Sequence, residues 1–242
     1  MHHFFIAPDA VHGETALITG AEAHHLRAVL RLAAGDRVRL FDGTGRIHEA
    51  VITRLGKGEV ETRVVASETA TPPPVPVHIG QALLKGKKMD LLVQKANELG
   101  IECLTPFVSA RCDVRTGNPE REERWQRIVF ESCKQCGRPV PMICRPETDF
   151  AGELANGGDF DLKLIFWEQE RQCSLGSLFE PPTPVRAVKA LIGPEGGFSE
   201  EEVEQAAAAG FVPVSLGRRV LRAETASLAA MAILQHRLGN LD

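Results

Sequence analysis

Along the first seventy positions, apolar residues fall in short runs broken by turn residues. Arg37–Asp42, Ile47–Arg54 and Gly58–Ala66 are rich in Val, Ile, Leu, Thr and Arg, and Asp42-Gly43 with Gly45, then Gly56 with Gly58, separate them. Runs of this kind predict strands joined by tight turns, hence a small β-barrel. Ala23–Leu32 breaks the pattern. Leu26, Val29, Leu30 and Leu32 gather on one side of a helical wheel, with His24, Arg27 and Arg31 towards another, which predicts a short helix.

A proline cluster over 71–76 then forces an extended connection that neither helix nor sheet can continue. It predicts a barrel over 1–70, a linker over 71–76 and a larger domain over 77–242. In that larger part the period switches repeatedly. Val75–Leu83 and Cys103–Val108 read as strands, and Leu162–Trp167 and Val188–Ile192 are continuous apolar runs of the sort buried on both faces of a parallel sheet. Lys87–Leu99 carries Met89, Leu92, Val93, Ala96 and Leu99 on one stripe and ends at Gly100, while Pro119–Cys136 carries Trp125, Ile128, Val129, Ser132 and Cys136. Ser199-Glu200-Glu201-Glu202 is a capping box that opens a helix ending at Gly210; Val212–Leu216 is a further strand and Glu224–Leu238 a final helix. Alternation of this kind predicts an α/β sheet covered on both faces.

Composition narrows the function classes. The chain has 242 residues, 43% of them hydrophobic, enough for a sizeable core and one or two domains. Its formal charge of −4 argues against coating nucleic acid by bulk electrostatics, but residues 85–145 hold 12 basic against 8 acidic residues. One shaped RNA site therefore remains compatible with the total. No apolar run is long enough to span a membrane and no signal-peptide pattern opens the chain, so a cytoplasmic protein is expected. The six cysteines read as reduced thiols. Cys133-x-x-Cys136 lacks the second ligand pair that a zinc site needs, so no metal is expected.

Two loops carry candidate chemistry. Gly193-Pro194-Glu195-Gly196-Gly197 follows a buried strand and precedes a capped helix, a setting in which glycines let the backbone approach a ligand closely. It has neither the Gly-Lys-Ser/Thr of a Walker loop nor dinucleotide-fold spacing. Ser215-Leu216-Gly217-Arg218-Arg219-Val220-Leu221-Arg222-Ala223-Glu224-Thr225-Ala226 again joins a strand end to a helix. Ligands of open α/β sheets bind beyond the carboxyl ends of the strands, so the two loops should face one crevice.

These two motifs, with the stretch from Lys85 to Gly100 (KGKKMDLLVQKANELG), Glu131–Arg138 (ESCKQCGR), His24–Arg31 (HHLRAVLR) and Gly35–Gly43 (GDRVRLFDG), resemble the ribosomal RNA small subunit methyltransferase E family. The resemblance runs from about residue 4 to 238. It implies a SPOUT-type, trefoil-knotted α/β methyltransferase domain behind an N-terminal PUA-like RNA-binding barrel. It also implies a homodimer that uses S-adenosylmethionine to methylate N3 of a specific uridine in the 16S rRNA of the small ribosomal subunit. Cofactor contacts are then expected from Leu191, Gly193, Pro194, Glu195, Gly196 and Gly197, and from Ser215, Leu216, Gly217, Val220, Leu221 and Thr225. A third cofactor loop should follow Phe166 and Trp167. RNA contacts are expected from His25, Arg27, Arg31, Lys85, Lys87 and Lys88. Glu131, Gln135 and Arg138 share a helical face, and of these Gln135 and Arg138 are further RNA candidates; Lys134 projects about 100° away from it.

Uracil N3 is a neutral imide N–H whose lone pair becomes nucleophilic only as the proton leaves. Catalysis needs in-line positioning, a cation to favour the imidate charge, and a base where one is used. Arg222 is the candidate cation and Glu224 or Glu195 the candidate base. Two other readings compete: a non-catalytic RNA-binding assembly factor, and a knotted methyltransferase acting on transfer RNA.

Overall fold

The computed structural model describes residues 1–114, 117–156, 158–175, 178 and 185–241. The chain forms two compact units, Met1–Pro72 with Phe130–Pro141, and Pro73–Val129 with Met142–Asp242. The first division falls inside the proline cluster. The second differs from a simple two-part chain, because 130–141, which the proline boundary leaves in the C-terminal region, joins the first unit.

In the first unit, β1 (His2–Phe5), β2 (Val11–His12), β3 (Thr15–Thr19), β4 (Arg37–Phe41), β5 (Arg46–Leu55) and β6 (Glu59–Thr69) form one sheet in the order β1-β4-β5-β6-β3-β2. β1 runs parallel to β4 and the remaining pairs are antiparallel. Register shifts at Glu49/Ala50 and Ile52/Arg54 bend the long β5–β6 ribbon. Phe4 from one end of the strand order and Ile18 from next to the other end share a single core with Leu40, Ile52 and Val60, so the sheet curls into a barrel.

The predicted Ala23–Leu32 helix is displaced towards the N-terminus. It comprises α1 (Gly20–His24) and one π-turn over His25–Val29. Ala23 and Leu26 plug the barrel core, and the wider turn, closed by Leu30 N–H donating to His25 C=O, swings Val29 out to 64% exposure. Arg31 then ends the segment at φ +54°. Phe130–Pro141 completes this unit: Phe130 packs edge-on against Phe5, His3 donates from Nδ1 to the Lys134 carbonyl, and Lys134 pairs with Glu22 and Glu131.

The second unit alternates β7 (Val77–Ala82), α2 (Lys88–Glu98), β8 (Cys103–Val108), α3 (Pro119–Cys136, here as far as Val129), β9 (Ile143–Cys144), β10 (Thr148–Asp149), α4 (Phe150–Ala155), β11 (Leu162–Phe166), β12 (Val188–Ile192), α5 (Glu200–Ala208), β13 (Val212–Val214) and α6 (Ala223–Arg237). Every strand pair is parallel, in the order β10-β8-β7-β12-β11-β13 with β9 beside β8. β12 is buried at all five positions, but the run is not continuously apolar: Lys189 is buried with the rest because its Nζ pairs with Glu153 Oε1 at 3.0 Å. Gly80 makes the centre of β7 fit: a Cβ there would lie 2.6 Å from Leu191 Cδ2 and 2.7 Å from Glu153 Oε1. Phe107, Phe150 and Phe198 fill the layer on one side of the sheet. In α3 the predicted stripe holds at Trp125, Val129 and Ser132, but Cys133 is buried where Cys136 was expected, because the last turn packs within the first unit.

Candidate active site

Three segments at the carboxyl ends of adjacent strands converge in the second unit. Phe166-Trp167-Glu168 follows β11, Ile192–Gly197 follows β12, and Val214–Leu221 follows β13 and leads into Ala223 and Ala226 of α6. Together they line a cleft of about 160 Å³. Of the expected cofactor residues, Phe166, Trp167, Gly193, Pro194, Glu195, Gly196, Gly197, Leu216, Gly217, Val220 and Leu221 lie on its wall.

Three do not. Leu191 is wholly buried in the core beside Gly80, so its side chain faces away from the cleft. Ser215 pairs with Ser174 and donates its N–H to Cys173 C=O, which fixes that loop rather than lining the cleft. Thr225 is exposed on the first turn of α6 and is absent from the wall.

The glycine loop is held from four directions. Gly197 N–H donates to Pro194 C=O and closes a turn in which Gly197 adopts φ +66°. A Cβ on Gly197 would collide with the Glu168 carboxylate at 2.6 Å, and one on Gly196 would meet Arg111 Cβ at 2.9 Å. Arg111 donates to Gly196 C=O at 3.0 Å. Phe198 stacks on Phe107 and anchors the exit of the loop, and Ser199 then caps α5 through the predicted reciprocal bonds with Glu202. The second Glu202 carboxylate oxygen accepts from Ala110 N–H at 2.7 Å, which ties the segment bearing Arg111 to the same helix start.

Beneath the loop lies a polar network that periodicity did not single out. Gln81, fully buried at the end of β7, donates to Ala82 C=O at 2.9 Å and reaches Gly193 C=O at 3.5 Å. Its carbonyl oxygen accepts from Ser227 Oγ at 2.7 Å, so the glycine loop after β12, β7 and α6 share one hydrogen-bonded centre. The available signal was compositional, a glutamine in an apolar strand and a serine in an Ala-rich helix.

Of the candidate catalytic groups, Glu195 lies on the cleft wall, and Arg222 and Glu224 flank Ala223, which also lines it. Arg222 is the exposed N-cap residue of α6, with φ −63° and ψ 149°. Glu224 lies in the first turn, where its own backbone N–H and the Lys88 ammonium outweigh partial burial and hold its carboxyl below the usual range. For Glu195, burial acts upwards, but Lys88 and the backbone amides of Glu195 and Lys85 overcome it and the net shift is again downwards. Lys88, one of the expected RNA contacts, bridges these two carboxylates, with Nζ 3.0 Å from Glu195 Oε1 and 3.1 Å from Glu224 Oε2. Lys85 pairs with Asp113 at 2.6 Å, and Lys87 is exposed at the start of α2.

The other expected RNA residues lie in the first unit. His25 and Gln135 line a groove there with His2, His3, Glu131 and Lys134. Lys134 thus shares the face from which helical geometry separated it, because its long stem turns towards Glu22. Arg27 donates to Gly56 C=O, Arg138 donates to Val140 C=O, and Arg31 is exposed. Among the described residues no cluster of three or more His, Cys, Asp or Glu could hold a metal, and no helix is long and apolar enough to cross a membrane.

Comparison with known proteins fits these features. The chain matches the RNA methyltransferase domain over residues 71–235 and the RNA methyltransferase PUA domain over 18–65. It is 32% identical to the ribosomal RNA small subunit methyltransferase E of Buchnera aphidicola subsp. Schizaphis graminum, across 90% of this chain and 89% of that one. The Synechocystis protein of the same name is 32% identical across 96% and 76%. Among solved structures, ribosomal RNA small subunit methyltransferase E from Neisseria gonorrhoeae bound to S-adenosyl methionine superposes with a TM-score of 0.87 at 35% identity, covering 98% of this chain and 97% of that one. A PUA-like barrel, a parallel α/β sheet and a glycine-walled cleft at its carboxyl edge agree with a match along nearly the whole length: the chain belongs to the ribosomal RNA small subunit methyltransferase E family.

Proposed function

We propose that this protein transfers a methyl group from S-adenosylmethionine to N3 of a specific uridine in small-subunit ribosomal RNA, and that it does so at the cleft between the Trp167, Gly193–Gly197 and Leu216–Leu221 segments. The observation that carries the reading is the close fit of the glycine wall. A Cβ on Gly196 would lie 2.9 Å from Arg111 Cβ and Gly197 holds φ +66°, which L side chains rarely adopt, so the wall offers peptide backbone to what the cleft receives. Leu216, Val220 and Leu221 offer apolar surface for a flat heterocycle, and Glu168 and Glu195 add carboxylates suited to a cationic ligand. These residues fit S-adenosylmethionine, which when bound supplies an electrophilic methyl on a positively charged sulfur.

The chain's own part is positioning and electrostatics. Arg222, exposed before α6, offers a cation for the charge that develops on uracil as N3 gives up its proton to solvent water and its lone pair takes the methyl group. Glu195 and Glu224, with pKa values held low, are ionised at neutral pH and therefore weak bases. The arrangement favours Arg222 as the group that acts on the base and the two glutamates as its scaffold. His25, Arg27, Arg31, Gln135 and Arg138 are the proposed RNA contacts of the barrel unit, with Lys85 and Lys87 those of the other. A homodimer is proposed from the family resemblance; Leu91 and Ile233, each 40% exposed on α2 and α6, supply apolar surface for it.

Labelled cofactor, purified protein and small subunits lacking the modification test the reading. Transfer to one uridine N3, reduced about a hundredfold or more by Arg222→Ala, is the expected result. Cofactor binding without transfer supports an RNA-binding assembly factor, and transfer to tRNA alone would replace the substrate.

A further inference from the structure

Lys88 is held by partners distant in sequence. Its Nζ donates to Glu195 Oε1 at 3.0 Å, in the glycine loop 107 residues away, and pairs at 3.1 Å with Glu224 Oε2 in the first turn of α6. The same Glu195 oxygen accepts from the backbone N–H of Lys85 at 3.2 Å. The segment before α2, the wall of the cleft and the start of the helix that follows Arg222 therefore meet at one ammonium.

We propose that Lys88 is a positioning residue for methyl transfer: it holds the glycine loop and the N-terminus of α6 together so that the cleft and Arg222 keep one geometry. This rests on the reading of the cleft as the methyl-transfer site. Two carboxylate oxygens each about 3 Å from one nitrogen are no more than about 6 Å apart, a distance at which like charges repel unless a cation lies between them. Other charged groups of the neighbouring segments are Glu168 and Arg219, which line the same cleft, and Lys85, Arg111 and Arg222. Lys85 is committed to Asp113, Arg111 to Gly196 C=O, and Arg222 stands beside Glu224. None of them occupies the position between the two carboxylates. Lysine is suited to it, being a compact point charge with three donors on a flexible stem.

The test compares wild type with Lys88→Met, Lys88→Arg, and Lys88→Met combined with Glu195→Gln. In the apo protein labelled with 13C at glutamate carboxyls, Lys88→Met should raise the Glu195 and Glu224 titration midpoints by about one unit or more. It should also lower kcat about ten- to a hundredfold at saturating RNA and cofactor, with the acid limb of the pH profile moved upwards. Arginine at 88 should restore both readouts in part, and removing the Glu195 charge should return the acid limb towards wild type. If Lys88 instead contacts an RNA phosphate, Lys88→Met raises KM for RNA and flattens its salt dependence while kcat and the carboxyl titrations stay put, and the proposal is overturned. An unchanged kcat overturns it even where the midpoints move. Wild-type protein that neither binds S-adenosylmethionine nor transfers methyl defeats the reading of the cleft, and the proposal with it.

Discussion

At Arg31 a positively charged side chain occupies backbone that glycine would adopt without cost, φ +54°. For an L-residue this conformation costs about 1–2 kcal/mol. Replacement by glycine should therefore raise the thermal midpoint or leave it unchanged, while weakening RNA binding and removing about one counterion from its salt dependence. A stability gain without loss of affinity would remove Arg31 from the proposed contacts. Cysteine chemistry divides along similar lines of local environment. Burial pushes the Cys144 thiol up to about 12 and raises that of Cys103, whereas Cys136 is exposed. An aromatic disulfide reagent at pH 8 should modify Cys136 in the native protein well before Cys144, as peptide mapping would show. Residues of the cleft were legible wherever the backbone itself does the work, because three glycines and a proline in five positions are visible in one dimension. Lys88, Gln81 and Ser227 were not, since each acquires its role from partners more than a hundred residues away.

Among elements, boundaries followed the strength of the periodic signal. Pro119–Cys136, Cys103–Val108 and Val188–Ile192 have the ends that their patterns predict. The strands β1, β2, β9 and β10 run for only two to four residues, too short to show alternation, and exist because a neighbouring strand offers them an edge. The Ser199 box was read from four letters, but its second task was not. Glu202 also receives the Ala110 N–H, and so connects the start of α5 to the segment whose Arg111 grips Gly196. Glu202→Ala removes the acceptor of the Ala110 N–H and half of the capping box, and a loss of about 0.5–2 kcal/mol in denaturant unfolding is expected. The same variant should bind S-adenosylmethionine more weakly in calorimetry. Destabilisation with unaltered affinity would separate the cap from the cleft.

For the molecule as a whole, the fold class and the division near residue 72 were available from the proline cluster and the change of period. What composition concealed was where charge goes: an acidic total coexists with the exposed arginines and lysines proposed to meet RNA. Association is expected to be the protein's native state. Ile233→Arg should convert a dimer to a monomer in light scattering at micromolar concentration, with little change in the thermal midpoint, because the side chain is already 40% exposed within one copy. A wild-type monomer under the same conditions would end that expectation.

The return of 130–141 to the first unit sets an order of events during synthesis. The barrel strands are complete at residue 69, yet Phe130, Lys134 and Val140, which pack on Phe5, Glu22 and Gly45, emerge only some sixty to seventy residues later. The nascent N-terminal unit must wait for its final side while the first strands and helices of its neighbour are still being made, an interval in which Phe5 and Phe41 have no cover from that segment. A chain released at residue 72 should therefore be less soluble than one that carries the missing helix turn, as sedimentation of the two would show.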